Sequence, residues 1–218
     1  MHFVTLQGES QPVAIGKIVC VARNYAEHAR ELGNPVPDEA VLFIKPASSL
    51  LADGGGIVIP AYAQECHHEI ELAVLIGRTG KGISPASALE HVAGYGVALD
   101  MTLRDVQSRL KSKGLPWEIA KGFDTSCPLS AFVPAGRVPD PQQLHLRLTV
   151  NGDVRQDGAT AHMLRPVAQL ISEASHYFTL EAGDILLTGT PSGVGPVRSG
   201  DRLEAVIEGV GRLSVSVV

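Results

Sequence analysis

The sequence runs to 218 residues, 44% hydrophobic and 19% charged, with a formal net charge of −5. A chain of that length buries one sizeable core, and this composition excludes a disordered polypeptide. The mild acidity, with no Lys/Arg cluster, argues against a nucleic-acid partner.

No stretch approaches the ~18–20 apolar residues of a membrane helix. The opening MHFVTLQGESQPVAIGK is interrupted at Glu9, Ser10 and Gln11, unlike the apolar centre of a signal peptide. Cys20, Cys66 and Cys127 are widely spaced and form no C-x-x-C pair, which fits a reducing compartment. A cytoplasmic protein without a membrane partner is expected.

In chain order, residues 24–31 read as a short helix, with Asn24 as N-cap and Gly33 just past its end. Strands are expected at 41–44, 57–59 and 70–76, where β-branched or alternating residues lie between turn residues. Ser84-Pro85 opens a second helix that closes at Gly94, before a strand at 96–99. Thr102 and Asp105 resemble a capping box ahead of a helix with Leu103, Val106 and Leu110 on one stripe, ending before Gly114. The strand 144–150 runs into Asn151-Gly152, a strong hairpin signal. Pro166 starts a fourth helix with Val167, Leu170, Ile171 and Ala174 on one face, and strands follow at 185–187, 203–207 and 213–217. Strands outnumber helices and do not alternate with them, so a doubly wound parallel sheet is not expected. An α+β, strand-rich fold with a few short helices is.

The segment CHHEIELAVLI carries the clearest chemistry. On a strand, His68, Ile70, Leu72, Val74 and Ile76 share one face, and Glu69 and Glu71 share the other, about 7 Å apart. Two like charges there repel unless a cation sits between them, and carboxylate oxygen suits Mg²⁺, Mn²⁺ or Ca²⁺. The apolar run 94–99 ends on Asp100, a third carboxylate at a strand mouth. The bland alternative is a solvated strand face with Asp100 capping the next helix. Cys66, His67 and His68 also invite a zinc reading, but adjacent ligands point to opposite faces and no partner pair follows.

His28 and Glu31 stand three apart on one helical face, where a carboxylate orients an imidazole for water or proton handling. A solvated surface pair gives the same spacing. Arg23, Lys45 and Lys121 are candidate cations for an anionic substrate, Lys121 because IAKGF surrounds it with apolar and small residues. The glycine-rich TGTPSGVG at 188–195 is neither a Walker loop nor a dinucleotide fingerprint. Its hydroxyls and N–H groups suit a carboxylate, and a purely structural turn explains it equally.

RNYAEHARELG, FIKP, HHEIEL, ALDMTLRDVQ, LPWEIAKGFDTSCPL and LTGTPSGVG occur in that order. Together they strongly resemble the fumarylacetoacetate hydrolase family, in its short acylpyruvase and oxaloacetate-decarboxylase branch, over roughly residues 17 to 217. The sequence departs at Ser130-Ala131, where the family more often has glycine after Pro-Leu. The resemblance implies mixed, coiled β-sheets forming a sandwich or roll and, usually, a homodimer. It makes 17–218 the catalytic domain and 1–16 an N-terminal segment packed on it, without the SH3-like domain of longer members. It implies Mg²⁺ or Mn²⁺ on Glu69, Glu71 and Asp100, with His28 and Glu31 as a dyad on a lid helix and Lys121 assisting. Arg23, Arg104, Gln107 and Thr190 then fall at substrate-contact positions. The expected activity is divalent-metal-dependent enolate chemistry on a small 2-oxo acid. C–C hydrolysis of acylpyruvates or oxaloacetate decarboxylation leads. Isomerisation, either oxaloacetate keto–enol tautomerisation or reactions of aromatic-catabolite diene acids, is the alternative.

Overall fold

The computed structural model describes residues 2–31, 33 and 38–218; Met1 of the N-terminal segment and Leu32 of the RNYAEHARELG motif lie outside them. Among these residues an eight-stranded mixed sheet forms the centre. Its path runs Val41–Lys45, Ile18–Ala22, Ile185–Leu187, Ile70–Ile76, Val92–Leu99, Cys127–Leu129 and Leu50–Ala52, with Val133–Pro134 added against Val92–Leu99. A five-stranded sheet packs on it, ordered Asp153–Ala159, His145–Val150, Arg202–Ile207, Gly211–Val217 and Gly56–Ile57. Smaller sheets join Thr102–Leu103, Cys66–His68 and Gly195–Val197, and pair Phe3–Val4 with Val13–Ala14.

The Ile70–Ile76 strand explains the layering. All seven residues are buried, and their side chains alternate between two cores. Ile70, Leu72, Val74 and Ile76 enter the larger core with Leu146, Leu148, Leu203 and Leu213 of the second sheet. Ala73 and Leu75 enter the smaller one with Ile18, Cys20, Leu187 and Phe132, joined by Val4 and Ile15 from the N-terminal residues. Each fully buried Leu or Ile side chain contributes about 1.5–3 kcal/mol. Glu69 and Glu71 begin the row that continues into the smaller core, so they stand at the end of an apolar wall.

The helices are α1 (Ala26–Glu31), α2 (Arg104–Ser112), α3 (Glu118–Lys121) and α4 (Val167–Tyr177). As expected, Val167, Leu170, Ile171 and Ala174 of α4 are buried, and the Asn151-Gly152 hairpin has both residues at positive φ, 54° and 88°. None of the described helices is long and apolar enough to cross a membrane.

Four local expectations are corrected. Asn24 does not cap α1; its amide donates to the carbonyls of Arg165 (3.0 Å) and Thr188 (2.9 Å) and accepts from Arg165 N–H. The segment from Pro85 is a 3₁₀ helix ending at His91, and Gly94 lies within a strand. A Cβ on Gly94 would stand 2.4 Å from the Val133 carbonyl oxygen, so this glycine permits strand approach and does not stop a helix. The capping box does not form, because Thr102 Oγ1 donates to the Asp100 carbonyl and Asp105 accepts from Gln64 N–H. The strand expected at 57–59 pairs only at Gly56–Ile57. At Ser130 the hydroxyl accepts from Val97 N–H (2.9 Å) and donates to the Ala131 carbonyl, extending the pairing.

A carboxylate triad in a cationic cleft

Glu69 lies at the break between Cys66–His68 and Ile70–Ile76, where its carbonyl accepts from Asp100 N–H at 2.8 Å. That bond couples the ends of two neighbouring strands and brings Asp100 beside the two glutamates. Each of Glu69, Glu71 and Asp100 offers an oxygen within 4.8 Å of the others, and the three are 4%, 1% and 1% exposed. Among the described residues it is the one cluster of three or more His, Cys, Asp or Glu side chains that converges in this way.

Basic groups surround the triad unevenly. Lys121, on the last turn of α3, donates to Glu69 Oε2 (2.8 Å) and Asp100 Oδ2 (2.6 Å) and lies 5.0 Å from the centre of the Phe43 ring. Arg104 donates to Glu69 Oε1 (2.5 Å) and to Gln107 Oε1 (2.8 Å). Burial alone would raise the Glu69 carboxyl, but Lys121 and Arg104 hold it well below the usual carboxylate range. Burial likewise opposes charge on Lys121, and Asp100 and Glu69 outweigh it, so the ammonium stays charged. Glu71 accepts from Gly189 N–H at 2.6 Å, and burial, then Asp100 and Glu69, push its carboxyl well above the ordinary range.

That imbalance tests whether the donor set fits a divalent metal, and it does. Three buried, acceptor-only carboxylates converge, one of them charged only against opposition, and hard oxygen donors suit Mg²⁺ or Mn²⁺. The zinc reading fails. Burial raises the Cys66 thiol to about 12, His67 Nε2 pairs with Glu65 at 2.7 Å, and His68 Nδ1 faces Gln156.

The triad floors a cleft of about 40 Å³. Arg23, His28, Arg104, Gln107, Lys121 and Thr190 all line it, so the structure gathers every sequence-expected site residue there except Glu31 and Lys45. Arg23 adopts φ 61°, a conformation that disfavours a side chain and recurs at functional sites. Glu31 stands behind His28, 3.3 Å from Nδ1, and accepts from Gly193 N–H at 3.0 and 3.2 Å. The 188–195 loop thus does hold carboxylates, those of the chain's own Glu71 and Glu31. Lys45 was expected to face substrate and does not. It is wholly buried, 2.8 Å from Asp100 Oδ1, and donates to the carbonyls of Met101, Ser126 and Lys121.

Phe43, Lys111 and Trp117 also line the cleft, and the sequence reading did not select them. Lys111 carried a usable signal, since Arg104, Gln107 and Lys111 recur at the 3–4 spacing of one helical face. Phe43 and Trp117, with ring centroids 6.1 Å apart, lie in the FIKP and LPWEIAKGFDTSCPL motifs, but no local spacing joins segments so far apart in the chain.

Known proteins match this chain closely in sequence and fold. The family model described as fumarylacetoacetate (FAA) hydrolase C-terminal matches residues 17–218. The Bos taurus mitochondrial protein named oxaloacetate tautomerase FAHD1 is 52% identical over 193 residues, 88% of this chain and 87% of its own. Oxaloacetate tautomerase YcgM of Escherichia coli K12 is 50% identical over 204 residues, 93% of both chains. The crystal structure of fumarylpyruvate hydrolase from Pseudomonas aeruginosa in complex with Mn²⁺ and pyruvate superposes with a TM-score of 0.95. It is 41% identical and covers 99% of this chain and 95% of its own. In sequence and fold, the chain belongs to the fumarylacetoacetate hydrolase family.

Proposed function

We propose that this chain is a divalent-metal-dependent enzyme that handles small 2-oxo acids through their enolates, with residues 17–218 as the catalytic unit and 1–16 packed on it. The observation that carries the reading is the buried Glu69, Glu71 and Asp100 triad beneath a cleft lined by cations and His28. Keto–enol tautomerisation of oxaloacetate leads, because relatives sharing half their residues over about nine-tenths of the chain bear that name. Hydrolysis of acylpyruvates is the second reading, favoured by the His28–Glu31 pair and by the 41%-identical fumarylpyruvate hydrolase.

Glu69, Glu71 and Asp100 would hold Mg²⁺ or Mn²⁺, which supplies Lewis acidity that favours the enolate of a 2-oxo acid. The remaining work falls to the chain's own side chains. Lys121, kept charged by Glu69 and Asp100, brings a fixed positive charge to the cleft floor, and Arg23 and Lys111 extend positive potential toward the anionic substrate. Phe43 and Trp117 narrow the cleft and limit water. Glu31 orients His28 through Nδ1, so the other ring nitrogen is the proton carrier. In tautomerisation that nitrogen moves the proton between C3 and the 2-oxygen. In hydrolysis it takes a proton from the water that attacks the distal carbonyl; the C–C bond then breaks and C3 regains a proton, giving pyruvate.

The test supplies oxaloacetate and acetylpyruvate to the purified chain with Mn²⁺, with Mg²⁺ and with chelator, scoring enol loss and pyruvate release separately. Metal-dependent enol loss from oxaloacetate, faster than pyruvate release, supports the tautomerase reading. Pyruvate from acetylpyruvate at a comparable rate gives the lead to hydrolysis. Turnover unaffected by chelator sinks both.

A further inference from the structure

Gln156 is 1% exposed, the one buried residue of the edge strand Asp153–Ala159. A primary amide offers two donors and two acceptor lone pairs, and a buried one holds its place by filling them. Here all four are used. Oε1 accepts from Ile70 N–H at 3.0 Å, which fixes the orientation of the amide, and it faces His68 Nδ1 at 3.1 Å, which therefore carries the proton. Nε2 donates to Thr190 Oγ1 at 2.8 Å and to the Pro191 carbonyl at 2.9 Å. One side chain thus ties the backbone between Glu69 and Glu71 to the 188–195 loop.

That loop reaches both halves of the cleft. Gly189 N–H holds Glu71, and Gly193 N–H holds Glu31 behind His28. Two glycines flank Gln156 where loop and strand touch. A Cβ on Gly158 would meet Pro191 Cβ at 2.7 Å, and one on Gly193, at φ +94°, would meet the Arg155 carbonyl at 2.2 Å. The contact is therefore close on either side of the amide.

We propose that Gln156, which does not itself line the cleft, is a positioning residue. It sets the 188–195 loop, and through Gly193 N–H the Glu31–His28 pair, at its working distance from the carboxylate triad. Only a side chain that accepts on one side and donates on the other does this. Glutamate would keep both acceptor bonds and lose both donors, while methionine would lose all four. The proposal rests on the reading of His28 and Glu31 as the proton-handling pair.

The experiment is a double-mutant cycle on metal-loaded enzyme with oxaloacetate, placing Gln156→Glu, and in parallel Gln156→Met, in the wild-type and Glu31→Gln backgrounds. A misplacement of about 1 Å costs roughly 100-fold in rate, so kcat of Gln156→Glu is expected to fall about 10- to 100-fold, with KM within about 3-fold. In the Glu31→Gln background the same change is expected to lower kcat less than about 3-fold, since coupled sites are not additive. Amide exchange, read without turnover, is expected to quicken at Gly189 and Gly193 while the amides of α4 keep their wild-type rates. Equal losses in both backgrounds, a change in KM alone, or unchanged exchange in the loop overturns the proposal. A Glu31→Gln enzyme with wild-type kcat instead overturns the dyad reading beneath it.

Discussion

Replacing Glu71 with glutamine is expected to stabilise the metal-free protein while removing its response to metal. Glu71 is 1% exposed, and its oxygen lies within 4.8 Å of oxygens from Glu69 and Asp100. At an effective dielectric of ~20, two like charges at that distance repel by about 3.5 kcal/mol. The carboxyl escapes part of this by holding a proton. At pH 7 the penalty is therefore bounded by the interval from its ordinary value of 4.5, about 3.4 kcal/mol at ~1.36 kcal/mol per pH unit. Glutamine keeps an acceptor for Gly189 N–H and turns its NH₂ toward the neighbouring carboxylates, so a gain of about 2–3 kcal/mol is expected. For a chain of this size that raises Tm by about 4–12 °C. The assay is thermal unfolding in chelator and in excess Mn²⁺. Wild type should gain stability with Mn²⁺, by about 2.7 kcal/mol at one hundred times Kd, whereas Glu71→Gln should respond far less. A variant that melts below wild type in chelator, or that keeps the full Mn²⁺ shift, refutes the reasoning.

The same variant carries a pH signature. Glu71 is raised in the folded state by burial, Asp100 and Glu69, so the folded metal-free protein keeps a proton that the unfolded chain releases, and stability falls as pH rises above the ordinary carboxylate range. Glu69 is depressed, so its contribution is already complete above that range, while His67 and His68, lowered chiefly by burial, are common to both proteins. The Tm advantage of Glu71→Gln in chelator should therefore widen from about pH 5 to 8; a constant gap counts against it. Lys45→Met removes one of the two buried ammonium groups paired with Asp100, Lys121 being the other, and should cost roughly 3–5 kcal/mol in denaturant unfolding; a loss below about 1 kcal/mol contradicts that role. His28→Ala should lower acylpyruvate cleavage by about 10²–10⁴-fold and oxaloacetate decarboxylation less, as measured by pyruvate release. Equal losses would mean that water activation is not its particular task.

What the sequence disclosed about this molecule is what its local pattern encodes. Ile70–Ile76 and Ile185–Leu187 were legible to the residue because short apolar runs between turn residues have few alternatives, and α4 because its apolar stripe lies on one face. Gly94 misled because its reason is the Val133 carbonyl across the sheet, and the capping box because Gln64 and the Asp100 carbonyl compete for its side chains. At the site, Glu69 and Glu71 announced themselves as paired charges on an apolar strand, and the resemblance supplied the roles of the remainder. Lys45 looked like a substrate cation because nothing in FIKP reveals the carbonyls that enclose it. Gln156, in the polar segment DVRQDGA, gave no sign of burial, because the groups that satisfy it lie 34 to 88 residues away.

The central claim is that Glu69, Glu71 and Asp100 hold a divalent metal on which a 2-oxo acid binds. Calorimetric titration of oxalate, which shares the charge and planarity of the pyruvate enolate, into Mn²⁺-loaded and chelated protein tests it most directly. Heat of binding only in the Mn²⁺-loaded protein, and its loss in Asp100→Asn, is the expected result. Binding of equal strength to the chelated protein would contradict the account.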